Sequence, residues 1–488
     1  MKVQSTRSAY VCDEVRAVLD GIAPDGGLYV DPDLGRRPFD WEGCLRLSPL
    51  GMASALLSAL LPGFADMDAL VERAYRGKFD TPALTPLVKV GDAYVLELFH
   101  GPTAAFKDVA LSVLPQLIGA ARRQTGETGD TLILTATSGD TGKAALEGFH
   151  DVPGTRIAVF YPEGGVSQVQ RRQMVTQRGA NVAVCAVRGN FDDCQRAVKE
   201  SFAALRGGGL PLSSANSINI GRLAPQLVYY FIAYARLCER GVIRPGEPVD
   251  YIVPTGNFGD ILAGWMAGRL GLPVGRLVCA SNANRVLTDF FETGVYDRRR
   301  RFVRTASPSM DILVSSNLER LLFYALDGDT QAVARCMTAL NTEGLYRLPE
   351  RVMAALREQF AAYCCGEADT AAAIGRVWRE FGYVCDPHTA VAVHAAEQYR
   401  RESGSRAARV ILSTASPYKF PGFVLRGIGT EVPADEFAQM DALLDRTGLP
   451  IPRGLASLRD APELHRDVIG ADGIIPYVRK LMEGGRCL

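Results

Sequence analysis

Apolar residues recur along this chain with two different periods, and the change from one to the other divides it. Up to about residue 85 they return every three to four positions, which predicts helices over 12–19, 50–61 and 67–79. A Pro24-Asp25-Gly26-Gly27 turn leads into a short strand ending at Val30. Two prolines, Pro82 and Pro86, close this helical unit. From about residue 87, short β-branched runs alternate with helical stretches. Strands are predicted over 94–99, 131–135, 156–161, 181–187, 250–253, 276–280 and 408–413. Helices are predicted over 108–125 (with Pro115 as a kink), 143–149, 168–177, 192–205 and 223–239. This alternation predicts an α/β fold with mainly parallel sheets. Beyond Gly294 the pattern turns helical again, over 318–325, 331–340, 350–364 and 389–400, and the last fifty residues read as a helical tail. The expected units are an N-terminal domain, 1–85, an α/β region, 86–430, and a helical C-terminal tail, 431–488.

A length of 488 residues suits two or three domains. Charged residues make up 22% and the formal net charge is zero, so no overall field recruits nucleic acid or an anionic membrane. The longest apolar run, 52–61, is too short for a bilayer, and the N-terminus lacks a secretory apolar core. The 11 cysteines are scattered in apolar contexts without a C-x-x-C pair. Together these predict a cytoplasmic protein with reduced thiols. A metal site is not expected, because Cys385 with His388 has no second ligand pair.

Chemistry concentrates at a few strand ends. Lys107 stands where a buried strand and the Gly101-Pro102 break meet a long apolar helix. Burial there disfavours the ammonium, and a lysine with a lowered pKa can form a Schiff base with a carbonyl. A lysine snorkelling at a helix start has the same sequence. Two strand–loop–helix junctions have anion-binding form: Ser138-Gly139-Asp140-Thr141-Gly142-Lys143, and Gly256-Asn257-Phe258-Gly259-Asp260. Each is also compatible with a plain tight turn, and neither has P-loop spacing, which argues against a nucleotide-binding module. Ser217, Asn219 and Arg222 form a third cluster of anion donors. Thr414 follows a buried strand and offers a neutral hydroxyl, and Asp386 or Thr389 could cap the next helix. A Schiff-base lysine, two phosphate cradles and a hydroxyl at a strand end together suggest pyridoxal phosphate.

These blocks, in this order, resemble threonine synthase of the bacterial and fungal type. The resemblance rests on the 23–30 turn, His100 to Asp108, Thr137 to Gly142, Asn216 to Arg222, Gly256 to Asp260, Ser307 to Arg320 and Asp386 to Thr389. It implies fold type II: two parallel-sheet α/β domains with pyridoxal 5'-phosphate between them, plus a mainly helical N-terminal domain. It implies that Lys107 is the cofactor lysine and catalytic base, that Gly256, Asn257, Phe258 and Gly259 cradle the cofactor phosphate beside Asp260, and that Thr414 faces the ring nitrogen. The implied substrate is O-phospho-L-homoserine, with Ser138, Asp140, Thr141, Lys143, Ser217, Asn219 and Arg222 as candidates for holding it. The implied reaction is γ-elimination of phosphate and β-addition of water to give L-threonine. A threonine-synthase-like phospholyase or a serine/threonine dehydratase-type lyase is the alternative. The chain departs from the family at Tyr418 and Leu318.

Overall fold

The computed structural model describes residues 1–205, 207 and 209–484. Two sheets organise it. The larger has six strands in the order Phe360–Cys364, Val274–Ser281, Val249–Pro254, Ala408–Ser413, Ala93–Glu97 and Leu87–Val90. Its neighbours pair in parallel except the last two, which are antiparallel. The smaller sheet is parallel throughout, in the order Asp467–Gly470, Val182–Arg188, Thr155–Pro162, Thr131–Ala136 and Leu212–Ser214. Thr131–Ala136 and Val249–Pro254 are buried along their whole length. Helices on both faces of a parallel sheet require this, and it explains why these strands are mainly apolar; the charged exception, buried Asp250, accepts from Arg276 N and from the hydroxyls of Tyr399 and Ser405.

Three differences from the sequence reading come from strand pairing, between distant segments in the first two and largely within a local hairpin in the third. The helix expected over 350–364 ends at Gln359, and Phe360–Cys364 becomes the edge strand beside Val274–Ser281. Its short apolar run carries no period, so only the available sheet edge decides its form. In the tail, Asp467–Gly470 adds an edge strand to the smaller sheet, and helix Ile474–Met482 packs beneath it. Residues 485–488 of that tail lie outside the described residues. In the N-terminal unit, Lys2–Ser5, Val11–Asp13 and Tyr29–Val30 form a small antiparallel sheet. The first helix therefore starts at Glu14, with the Asp13 carboxylate accepting from the N–H of Arg16. Among the described residues, no helix is long and apolar enough to cross a membrane.

Helices Lys107–Thr125 and Asp140–Phe149 carry much of the chemistry and pack closely. Pro115 lies within the first and cannot donate to the Leu111 carbonyl. Gly148 of the second helix comes so near that a Cβ there would lie 2.1 Å from that oxygen. The proline thus marks the crossing point of the two helices.

Candidate active site

The segment between strand Ala93–Glu97 and helix Lys107–Thr125 is tied down on both sides. The Asp108 carboxylate accepts from Thr103 N at 2.8 Å and Thr103 Oγ1 at 2.6 Å. Gly101 lies so close that a Cβ would meet Asp108 Cβ at 2.4 Å. Burial raises the Asp108 carboxyl to about 6, against the pull of the Thr103 hydrogen bonds. On the other side, Phe106 N donates to Thr414 O at 2.8 Å and Ser416 N to Ala104 O at 3.0 Å. Lys107 and Thr414 are brought together by this stitching of the loop to the exit of strand Ala408–Ser413.

Lys107 is buried. Its Nζ lies 3.3 Å from Ser309 Oγ, 3.8 Å from Asp140 Oδ2 and 4.8 Å from the Phe106 ring centroid. Burial lowers its pKa to about 8, with Asp140 opposing and Lys419 and Arg222 assisting. Most of the Lys107 side chain is thus covered and its amine is engaged inside the protein, which favours the reactive-lysine reading over a snorkelling side chain. Asp140 Oδ1 accepts from Lys419 Nζ at 2.7 Å and Gln170 Nε2 at 2.9 Å. Burial disfavours the Asp140 carboxylate, but the charges of Lys419 and Lys107 prevail and hold it well below the usual range.

The second junction is shaped by its neighbours. A Cβ on Gly256 would lie 2.6 Å from Ser309 O, so only glycine lets the two backbones pass. Ser315 Oγ donates to Gly256 O at 2.7 Å, and Asn317 donates to Asn257 O through N at 3.0 Å and Nδ2 at 3.1 Å. Arg320, fully buried, bonds Asn317 Oδ1 and also reaches Tyr29 O at 2.9 Å, linking the cradle to the N-terminal unit. Phe258 takes a left-handed backbone, φ 61°, and its ring stacks on Phe291. Helix Gly259–Arg269 begins there, so its unpaired N–H groups border the loop. Asp260 accepts from Tyr229 Oη at 2.6 Å and Tyr230 Oη at 3.0 Å. Burial raises its carboxyl to about 6 despite both phenols, and its Oδ2 has no partner among the described residues. A glycine gap at a helix N-terminus, facing a buried amine, fits a phosphorylated aldehyde cofactor.

The seven residues suggested for the substrate divide. Asp140 and Arg222 are buried in the site. Burial lowers the Arg222 guanidinium to about 10; its Nη1 donates to Ala215 O, but its Nε has no partner and no carboxylate pairs with it among the described residues, which leaves a charge in need of an anion. Ser138, Thr141 and Ser217 are half-buried. Lys143 is engaged elsewhere, with Glu147 at 3.0 Å and with Gln177 Oε1. Asn219 caps Gly221 N at 2.9 Å and donates to Val18 O at 2.9 Å. The Tyr418 ring turns away, and its hydroxyl donates to Leu449 O.

Sequence reasoning gave no role to Ser309, His388 or Lys419. Asp386 does cap its helix, accepting from His388 N and Thr389 N, both at 3.0 Å. It also lies 2.6 Å from His388 Nδ1. The sequence signal for Ser309 and His388 was their membership of blocks shared with the family; Lys419 lies outside those blocks.

A family model described as pyridoxal-phosphate dependent enzyme matches residues 79–415, and one described as threonine synthase, C-terminal, matches 389–467. Threonine synthase of Pseudomonas aeruginosa is 41% identical over 424 residues, covering 84% of this chain and 87% of that protein. Threonine synthase-like 1 of Homo sapiens is 37% identical, covering 84% of this chain and 57% of that protein, so the chain spans a little over half its length. The crystal structure of pyridoxal-phosphate-bound threonine synthase from Brucella melitensis matches with a TM-score of 0.88 at 37% identity, covering 100% of both chains. The yeast threonine synthase structure matches with a TM-score of 0.87 at 31% identity, covering 99% of this chain and 98% of that one.

Proposed function

Since the chain belongs to the threonine synthase family of pyridoxal-phosphate dependent enzymes, we propose that it converts O-phospho-L-homoserine and water to L-threonine and phosphate. The observation that carries this reading is the meeting, in one site, of a buried amine of lowered pKa, Lys107, with a second anion-demanding group, Arg222, outside the glycine cradle.

Gly256, Asn257, Phe258 and Gly259 would hold the cofactor phosphate through backbone N–H groups, with Thr414 at the ring nitrogen and Lys107 at the aldehyde carbon. Bound there, pyridoxal phosphate supplies an electron sink for a carbanion beside the substrate amine, and a neutral hydroxyl partner suits elimination at the β and γ positions. The Lys107 amine removes the α proton and later returns protons, work that requires it neutral near pH 8. Ser309 Oγ, 3.3 Å away, orients that amine. Arg222, with the half-buried hydroxyls of Ser138, Thr141 and Ser217, binds the substrate phosphate and stabilises the charge that grows on it as it leaves.

The test is to mix purified protein with phosphohomoserine and assay threonine, phosphate and 2-oxobutyrate together. Equal amounts of threonine and phosphate are expected. Release of 2-oxobutyrate in place of threonine would make the chain a phospholyase, and absence of phosphate release would sink both readings.

A further inference from the structure

One buried cation of the site has no part in the reaction derived above. Lys419 ends the short turn Pro417–Lys419 and is fully buried. Its Nζ lies 2.7 Å from Asp140 Oδ1 and donates to Thr103 O at 3.2 Å. The other oxygen of that carboxylate lies 3.8 Å from Lys107 Nζ and accepts from Ser309 Oγ at 3.4 Å. One carboxylate therefore stands between two buried lysines, and its hold is uneven: close on Lys419, loose on Lys107. Coulombic attraction falls with distance, and in a buried site it is screened far less than in water. Without Lys419, Asp140 would keep only the neutral Gln170 donor on Oδ1 and would lose its nearer cation, leaving Lys107 as the charge that draws it. The pair also spans the site, since Lys419 follows a strand of the larger sheet and Asp140 starts a helix that covers the smaller one.

Resting on the reading of Lys107 as the reacting amine, we propose that Lys419 is a positioning residue of this active site: it holds the Asp140 carboxylate to itself, so that Lys107 is steered by that carboxylate without being captured in a closed ion pair. The other charged groups acting on Lys107 are Arg222 from helix Ile220–Leu223, Asp108 on its own helix and Asp260 from helix Gly259–Arg269. They are unchanged in the variants below and so form a constant background.

The two partners make opposite contributions, and this separates positioning from mere support of the fold. Lys419→Met releases Asp140 to Lys107 and makes Lys107 harder to deprotonate. Asp140→Asn removes the attracting charge and makes it easier. The experiment follows acylation of Lys107 by acetic anhydride in the cofactor-free protein as a function of pH, read by peptide mass spectrometry. The midpoint is expected to rise by about one pH unit in Lys419→Met and to fall by about as much in Asp140→Asn. Lys419→Arg, which keeps the charge, is expected to stay near the wild-type midpoint. Midpoints that do not move, or that move in the same direction in Lys419→Met and Asp140→Asn, would overturn the proposal. Should Lys419→Met fail to fold, an unmoved Asp140→Asn midpoint or a raised Lys419→Arg midpoint would still do so. Whether Lys107 carries the cofactor is read separately, by borohydride reduction of the wild-type holoprotein and peptide mapping.

Discussion

His388 Nε2 accepts the backbone N–H of Ser309 at 3.2 Å. A ring nitrogen that accepts must be unprotonated, so the imidazole proton sits on Nδ1, 2.6 Å from Asp386 Oδ2. This fixes the turn Pro308–Met310, whose Ser309 hydroxyl faces Lys107 and whose Ser309 carbonyl packs against Gly256. His388→Ala leaves the half-buried Ser309 N–H without its partner and loosens the turn. The expected loss is about 1–3 kcal/mol in stability, from the unsatisfied donor, with kcat lowered about tenfold. Thermal melts and steady-state kinetics check this, and a variant with full kcat would show that the turn does not need its anchor. His388→Gln can keep an acceptor for Ser309 and should retain more activity.

Gly256→Ala tests the cradle. The added Cβ would lie 2.6 Å from a backbone oxygen that a side-chain rotation cannot move. Overpacking of this kind costs about 1–3 kcal/mol, or roughly tenfold to hundredfold in pyridoxal-phosphate affinity. Absorbance titration of the cofactor-free variant measures it. An unchanged dissociation constant would remove this loop from the binding site.

Arg222 and Lys143 stood side by side as phosphate candidates, and their surroundings separate them. Arg222 has an unpartnered Nε, whereas the Lys143 ammonium is held by Glu147 and Gln177. A charged hydrogen bond to phosphate is worth about 1.5–3 kcal/mol. Arg222→Met should therefore raise KM for phosphohomoserine by roughly tenfold to hundredfold, and Lys143→Met should change it little. Equal effects in the two variants would contradict the division.

Lys107 titrates at about 8 in the folded protein because burial opposes its charge more than Asp140 supports it. Between that pH and the ordinary lysine value, the unfolded chain binds more protons than the folded one, so stability rises with pH across this window. The destabilising contribution is complete below pH 8 and disappears above about 10.5. Cofactor-free Lys107→Met should accordingly be more stable than wild type at pH 7 by about 3 kcal/mol, with the advantage mostly gone at pH 10. Urea unfolding at both values tests the sign, and an advantage that grows with pH would refute it.

Much of the architecture is local and so could be read from the chain. Short, mainly apolar runs mark the buried parallel strands, because covering both faces leaves few places for a polar side chain. Lys107 and the Gly256 loop were legible for a similar reason: a charge at an apolar helix start and a glycine at a strand exit are marked by their immediate neighbours. Phe360–Cys364 and Asp467–Gly470 were not, since a short apolar run becomes a strand only when a distant segment offers a free edge. The charged groups follow the same rule. Nothing near Lys143 in sequence shows that Gln177 will occupy it, and nothing near Arg222 shows that its Nε will lack a partner. Lys419 and His388 acquire their roles only when folding brings Asp140 and Ser309 against them. Periodicity and turn chemistry act over a few residues and are written in the chain. Charge pairing and desolvation depend on which distant groups share a site, and only the tertiary structure decides that.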